Sequence, residues 1–304
     1  MVLKIDNLYK SYEAIKALQG ISLDIAKGEL FGLLGPDGSG KSTLIRIIVT
    51  LLKADSGKVL FQDKEVQKNV AFVRRNIGYM PEKFSLYQDL TVAQNLHFFG
   101  ELFGISREER LKRMEQLYMF SNLKSFANRA AGDLSGGMKQ KLALSCMLMH
   151  EPDVIVLDEP TTGVDPVSRH EFWQLLHALI KQGKSILIST PYLEEASMCQ
   201  RVGLLYKGRM LSVGQPDELI KGFKLPLFLI TSDSPTKLYK QLLKTEWKDK
   251  IELFGSGVHL IGEAGSTMQN IKSSLKHYKE YYKEIKNIDV QLEDLFLKLI
   301  KEKE

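Results

Sequence analysis

The chain predicts an α/β protein. An α/β core is expected over residues 1–222, with an antiparallel β-subdomain and a helical insertion at about 84–150. A small α+β appendage follows over 223–304. Three observations carry this expectation. Strands and helices alternate between Val154 and Cys199, which favours a mostly parallel sheet with helices on its faces. A glycine-rich loop joins a wholly apolar strand to a helix at Gly35–Thr43. The pattern then changes to short strands around helical pieces from about Phe223.

Taken in order, "VLKIDNLY" and "GISLDI" alternate apolar and polar residues as half-buried strands do, and "GKVLFQDKEV" follows a Ser-Gly turn. "ELFGLLG" is a continuous apolar run, as expected of a strand covered on both faces. It leads through the glycine loop into "KSTLIRIIVTLL", whose apolar spacing is helical. The middle is helical too. Thr91 is the expected N-cap of one helix, Ser106 and Glu109 form a capping box for the next, and a third begins after "LSGG" and runs to about Met149. "DVIVLDEP" and "SILIST" read as strands, and "DPVSRHEFWQLLHALIKQG" and "YLEEASMC" as helices. "VGLLYKGRMLSVG" reads as a hairpin with a Lys-Gly turn. "VQLEDLFLKLIKEKE" reads as an amphipathic helix. The segment "HYKEYYKEIK" interleaves bases with aromatics. A solvated helix face is expected there, with a nucleic-acid or membrane patch as the alternative.

Composition excludes several classes. The 304 residues are 44% hydrophobic and 26% charged, as in an ordinary globular protein, and the net charge of +5 is too small to argue for nucleic acid. Cys146 and Cys199 form no CxxC pair, so neither a zinc site nor a disulfide framework is expected, and both read as buried thiols in a reducing cytosol. No apolar run approaches the roughly 18 residues of a membrane span. The N-terminal stretch lacks the apolar core of a signal peptide. The expected location is cytoplasmic, with any membrane role exercised from the surface or through a partner.

Three motifs carry chemistry. "GPDGSGKST" matches GxxxxGK[ST] in its strand–loop–helix setting. Gly35, Pro36, Asp37, Gly38, Ser39 and Gly40 form a loop whose N–H groups can face inward, and Thr43 closes the motif. Lys41 can reach β- and γ-phosphates, and Ser42 can place its hydroxyl on Mg²⁺. The helix N-terminus adds positive potential. In "VIVLDEP" four apolar residues end in two carboxylates. Asp158 would hold Mg²⁺ through water, and Glu159 at the strand tip could polarise an attacking water as general base. In "LSGGMKQKL", Ser135, Gly136 and Gly137 place a hydroxyl and two bare amides ahead of a helix, an anion site by construction.

With these motifs in this order, the chain resembles the ATP-binding cassette (ABC) family of ATPases over roughly residues 1 to 218. The resemblance implies a P-loop NTPase core. It implies that Tyr12 stacks on adenine, that Asp165 in "TTGVDP" lies in the loop communicating between paired subunits, and that Ile77–Leu96 meets Mg²⁺ at one end and the membrane partner at the other. It also implies that Ser135, Gly136 and Gly137 cap the γ-phosphate held by a second copy, so that two ATP molecules are sandwiched in a head-to-tail dimer. Within Ile77–Leu96, "PEKFSLYQDLTV" (Pro81–Val92) matches the segment lining a groove for a short helix of the membrane subunit. "LSGGMKQKL" and the ending "NIDVQLEDLFLKL" are similar to cassette subunits of ABC-2-type exporters.

Two positions depart from the family pattern. Glu82 stands where glutamine is usual; its carboxylate can still ligate Mg²⁺ but adds negative charge beside a triphosphate. Pro191 stands where a histidine contacts the γ-phosphate and orients the attacking water. Proline has neither a side-chain donor nor an N–H. Losing one such group commonly costs on the order of 10²–10³ in rate. The expectation is therefore an ATP- and Mg²⁺-binding subunit of an ABC-2-type export system, weakly hydrolytic at its own site. It would be paired with a different, complete cassette and with a separate permease, peripheral at the inner face of the plasma membrane. A slow homodimer, a non-hydrolysing regulatory subunit, and a soluble ABC ATPase acting on ribosomes or DNA are the alternatives; a nucleic-acid partner is not expected.

Overall fold

Alternation along the first strands builds a half-buried sheet. β1 (Leu3–Tyr12) turns Leu3, Ile5 and Leu8 inward and pairs antiparallel with β2 (Ile15–Ile25). The computed structural model describes residues 1–83, 86–255 and 257–303. Phe84 and Ser85, in the expected groove segment and at the start of the expected insertion, Ser256 of "IELFGSG" and Glu304 of the terminal helix lie outside the described residues. The chain divides into two compact units, Met1–Gln215 and Pro216–Glu304.

In the first unit, β3 (Leu30–Leu34) is buried at every position, as its unbroken apolar run requires. It feeds α1 (Lys41–Ile48) through the glycine loop. β4 (Ser56–Phe61) and β5 (Lys64–Glu65) complete an antiparallel sheet of order β2-β1-β4-β5. α2 (Val70–Asn76) leads into β6 (Ile77–Met80). The helical insertion follows: α3 (Val92–Leu102), α4 (Arg107–Ser121) and α5 (Gly136–Leu148). Thr91 caps α3 with a complete capping box to Gln94. Ser106 caps α4 by accepting from the Glu109 N–H, but the Glu109 carboxylate bonds Arg113 at 2.9 Å rather than reaching back, so the expected box is only half formed. α5 starts inside "LSGG" rather than after it, because Ser135 is its N-cap and accepts from the Met138 N–H.

Strand–helix alternation resumes with β7 (Val154–Asp158), α6 (Pro166–Lys181), β8 (Ser185–Thr190), β9 (Arg201–Tyr206) and β10 (Arg209–Gly214). "YLEEASMC" forms a 3-10 segment, Leu193–Met198, rather than an α-helix. The second sheet has the order β10-β9-β3-β8-β7-β6, parallel except for the β9–β10 hairpin. Leu34 lies beside Thr190, and Asp158 beside Ser189, so the three strands end side by side at one edge. Open parallel sheets bind ligands beyond such carboxyl ends. Cys146 and Cys199 are buried and free, as expected, and burial raises both thiol pKa values. No helix among the described residues is long and apolar enough to cross a membrane.

An apolar cavity of about 620 Å³ opens between α3, α5 and the end of β6, lined among others by Leu51, Met80, Leu86, Phe99 and Phe103. His150 also lines it, stacked on Phe103 with ring centroids 3.9 Å apart.

The second unit begins with α7 (Pro216–Lys221), so this helix falls on the far side of the division expected at 222/223; it packs with the terminal helix. β11 (Leu227–Thr231), α8 (Pro235–Leu242), β12 (Ile251–Phe254), β13 (Gly257–Ile261), α9 (Met268–Ser274), β14 (Glu284–Ile288) and α10 (Leu292–Lys301) follow. The strands form an antiparallel sheet of order β12-β13-β11-β14 over a core including Phe228, Leu238 and Leu260. "HYKEYYKEIK" is not a helix face. Its first part is a 3-10 turn, its last part enters β14, and Tyr278, Tyr281 and Tyr282 pack against this core.

His150 gives a pH test. Burial holds its imidazole pKa down, from 6.5 to about 4. Between those values the unfolded chain binds a proton that the folded chain does not, so stability falls as pH drops through this window. His150→Phe, which keeps a ring against Phe103, is expected to lose less melting temperature than the wild type between pH 7 and pH 5, as read by thermal unfolding.

Candidate active site

The strand edge of the first unit opens onto a cavity of about 920 Å³. That volume suits a nucleotide-sized ligand. Tyr12, at the end of β1, is 42% exposed and lines it. So do Asp37 to Thr43, Glu82, Glu159 and Pro191.

The loop's curvature depends on missing side chains. Gly38 and Gly40 have φ of 74° and 109°, the left-handed region that favours glycine. A Cβ on Gly35 would lie 2.2 Å from the Leu205 carbonyl, and one on Gly40 would lie 2.6 Å from that of Ala17. The loop is thus pressed between β2 and the β9–β10 hairpin. The Lys207–Gly208 turn completes the clamp. The Gly208 N–H donates to Ser39 O at 2.9 Å, and Gly208 O accepts from the Gln19 N–H at 2.7 Å. Sequence reading placed this turn but missed its contact with the loop; the Lys-Gly pair at the hairpin tip was the only signal.

Lys41 is 3% exposed. Its Nζ donates to Gly35 O at 2.7 Å and Pro36 O at 3.1 Å, and lies 3.1 Å from Glu159 Oε1. Three acceptors thus surround the three hydrogens of a buried ammonium. Ser42 Oγ donates to Asp158 Oδ1 at 3.2 Å. That bond leaves the lone pairs of the Ser42 oxygen available to a hard cation.

Ser189, also missed from sequence, ties the two carboxylates together. Its hydroxyl donates to Asp158 Oδ1 at 2.7 Å and accepts from the Glu159 N–H at 3.0 Å. Glu159 sits at φ 48°, a strained conformation for a side-chain-bearing residue, and this bond helps to hold it there. Beyond Thr190, Pro191 offers no donor, and the Tyr192 N–H turns back to Thr190 Oγ1 at 3.0 Å.

Other sequence-chosen residues are not in this cavity. Ser135 and Gly136 are exposed at the N-terminus of α5. Asp165 is exposed and caps α6, its Oδ1 accepting from the Ser168 N–H at 2.9 Å, which lowers its carboxyl pKa. Among the described residues no group of three or more His, Cys, Asp or Glu side chains forms a metal cage. The donors present suit Mg²⁺, a hard ion that keeps waters and shares its coordination with phosphate oxygens.

A strand-end phosphate cradle, paired carboxylates and a detached serine–glycine cap form one combination, and comparison with known proteins agrees with it. The family profile described as ABC transporter matches residues 18–162. Nod factor export ATP-binding protein I of Paraburkholderia xenovorans (strain LB400) is 37% identical over 219 residues, 72% of each chain. The chain belongs to the ABC transporter ATPase family. The probable multidrug ABC transporter ATP-binding protein YbhF of Escherichia coli (strain K12) is 40% identical over 221 residues, 72% of this chain but only 38% of that protein's length. Among solved structures, a dimeric ATP-binding cassette in a post-hydrolysis state with ADP and Pi superposes with a TM-score of 0.64, at 30% identity, over 70% of this chain and 98% of that one.

Ser189→Ala removes the link between Asp158 and the Glu159 backbone. It is expected to cost about 1–3 kcal/mol of stability, the range for a buried hydrogen bond to a charged acceptor, read by urea unfolding.

Proposed function

We propose that this chain is the ATP-binding subunit of an ABC-2-type export system, binding MgATP in a head-to-tail dimer of cassettes and serving a separate membrane permease. One observation carries the dimer. Ser135 and Gly136 expose an anion-binding helix start that takes no part in the chain's own cavity. Such a site is useful to a phosphate held by another subunit. The names of the relatives, multidrug and Nod factor export, support the export direction.

In this reading Tyr12 stacks on adenine and the loop Gly35–Thr43 holds the phosphates, with Lys41 on the β- and γ-oxygens. Ser42, Asp158 and Glu82 hold Mg²⁺, which neutralises phosphate charge when bound. Glu159 takes the proton of the attacking water as it adds to the γ-phosphorus. Before that step, phosphate oxygens replace Glu159 at Lys41, which frees the carboxylate to act. Pro191 leaves that water and the γ-phosphate without the partner a histidine would supply, so hydrolysis at this site is slow. The intact serine–glycine cap then serves best against a different, complete cassette. The chain works at the inner face of the plasma membrane, where the apolar cavity beside Phe103 receives a short helix of the permease, and Pro216–Glu304 is the accessory domain. Pro191 also favours a second reading, in which the chain binds ATP without hydrolysing it and licenses its partner.

Steady-state turnover of the purified chain across protein concentrations tests the reading. Near-zero turnover with ATP bound is expected. In a mixture with a complete cassette, Ser135→Ala in this chain is expected to lower the partner's turnover by about 10²-fold. Turnover of the chain alone that rises more than linearly with its concentration would show a competent homodimer instead.

A further inference from the structure

α6 touches two motif segments with adjacent residues of its first turn. On one side is Gly137. A Cβ there would lie 2.3 Å from Ser168 Cβ and 2.4 Å from Ser168 Oγ, so α5 and α6 meet with no slack. Gly136, one residue earlier, has nothing within 4 Å of its own Cβ position. Lys141 and Glu171 pair one turn further along the same two helices.

On the other side is a buried polar knot. Glu195 is 2% exposed, and its Oε1 accepts from Thr161 Oγ1 at 2.6 Å. Arg169 Nε lies 3.8 Å from the same oxygen, within ion-pair reach but too far for a hydrogen bond. Among the described residues, neither Arg169 Nε nor Glu195 Oε2 has a hydrogen-bond partner. The Arg169 guanidinium lies over the Tyr192 ring at 4.5 Å and donates to Val164 O at 3.4 Å. Thr161 is two residues from Glu159, and Tyr192 follows Pro191.

Buried polar groups are nearly always hydrogen-bonded, so two left without a partner this close leave room for a tighter pairing. A side-chain rotation would bring Arg169 and Glu195 into direct contact. We propose that Ser168 and Arg169 are positioning residues, which transmit pressure on the Ser135–Gly137 cap to the Glu159 loop of the same chain. The proposal rests on the reading that the cap faces a partner's ATP. ATP seated against the cap pushes Gly137 on Ser168. The first turn of α6 moves with it, Arg169 closes on Glu195, and Thr161 draws the loop carrying Glu159. The two ATP sites served by one chain are thereby coupled, and the coupling is reciprocal.

Amide hydrogen exchange on the full chain, without nucleotide, tests the link. Gly137→Ala pushes on Ser168 as seated ATP would, so it is expected to slow exchange in residues 159–165 about fivefold or more. Adding Ser168→Gly removes the clash and is expected to return exchange to within about twofold of wild type. Gly136→Ala is expected to leave 159–165 unchanged. In the reverse direction, Glu195→Gln is expected to speed exchange in residues 135–139. Changes confined to 135–141 and 166–171, or no reversal by Ser168→Gly, would overturn the proposal. If Gly137→Ala does not fold, the near-isosteric Glu195→Gln decides alone: faster exchange at 135–139 supports the link, and none overturns it. Equilibrium binding of a fluorescent ATP analogue to the wild-type chain is read separately. Its absence would count against the nucleotide reading and not against the link.

Discussion

A buried ammonium needs acceptors for its hydrogens, and the site is organised around meeting that need for Lys41. Two of its partners are carbonyls of the phosphate loop and the third is Glu159. Glycines let the loop curl far enough to present those carbonyls. Glu159 is held at a left-handed φ by Ser189, which points its carboxylate at the same amine. The arrangement is closed on itself. In the proposed function a triphosphate takes the place of Glu159 at Lys41, and the same exchange would release the carboxylate.

The supports of this arrangement come from far along the chain. The β9–β10 hairpin fixes the loop from one side and β2 fixes it from the other. β7 and β8 end in register beside β3, so Asp158, Ser189 and Thr190 share one edge with Gly35. Pro191 follows there and contributes no hydrogen-bond donor. What remains at the strand end is the Thr190 hydroxyl, which is used to turn the backbone.

The chemistry-bearing motifs were legible in the sequence because each is local. GxxxxGK[ST], "LDE" and "LSGG" each lie within a few residues, and so does the N-cap at Thr91. What escaped was long-range or competed with another partner. Ser189 looked like one of two small residues ending a strand, and only the sheet register puts it against Asp158. Gly208 looked like a turn glycine, while its contacts are with Ser39 and Gln19. Glu109 was matched to Ser106 by spacing, but Arg113 on the next turn captures its carboxylate. α5 began earlier than expected because the serine of "LSGG" serves as a cap. "HYKEYYKEIK" misled because its charge alternation resembles a wet helix, whereas its tyrosines have a core to cover and its end has the edge of a sheet to join.

In the proposed function Pro191 is the feature that limits hydrolysis. Single-turnover hydrolysis of ATP, with wild-type and Pro191→His chains compared in excess over nucleotide, tests this most directly. Unchanged ATP affinity is expected in the histidine variant, with a rate higher by about 10²-fold, the usual worth of one group directed at the developing charge. An unchanged rate, or a wild-type rate already as fast as the variant's, would contradict it.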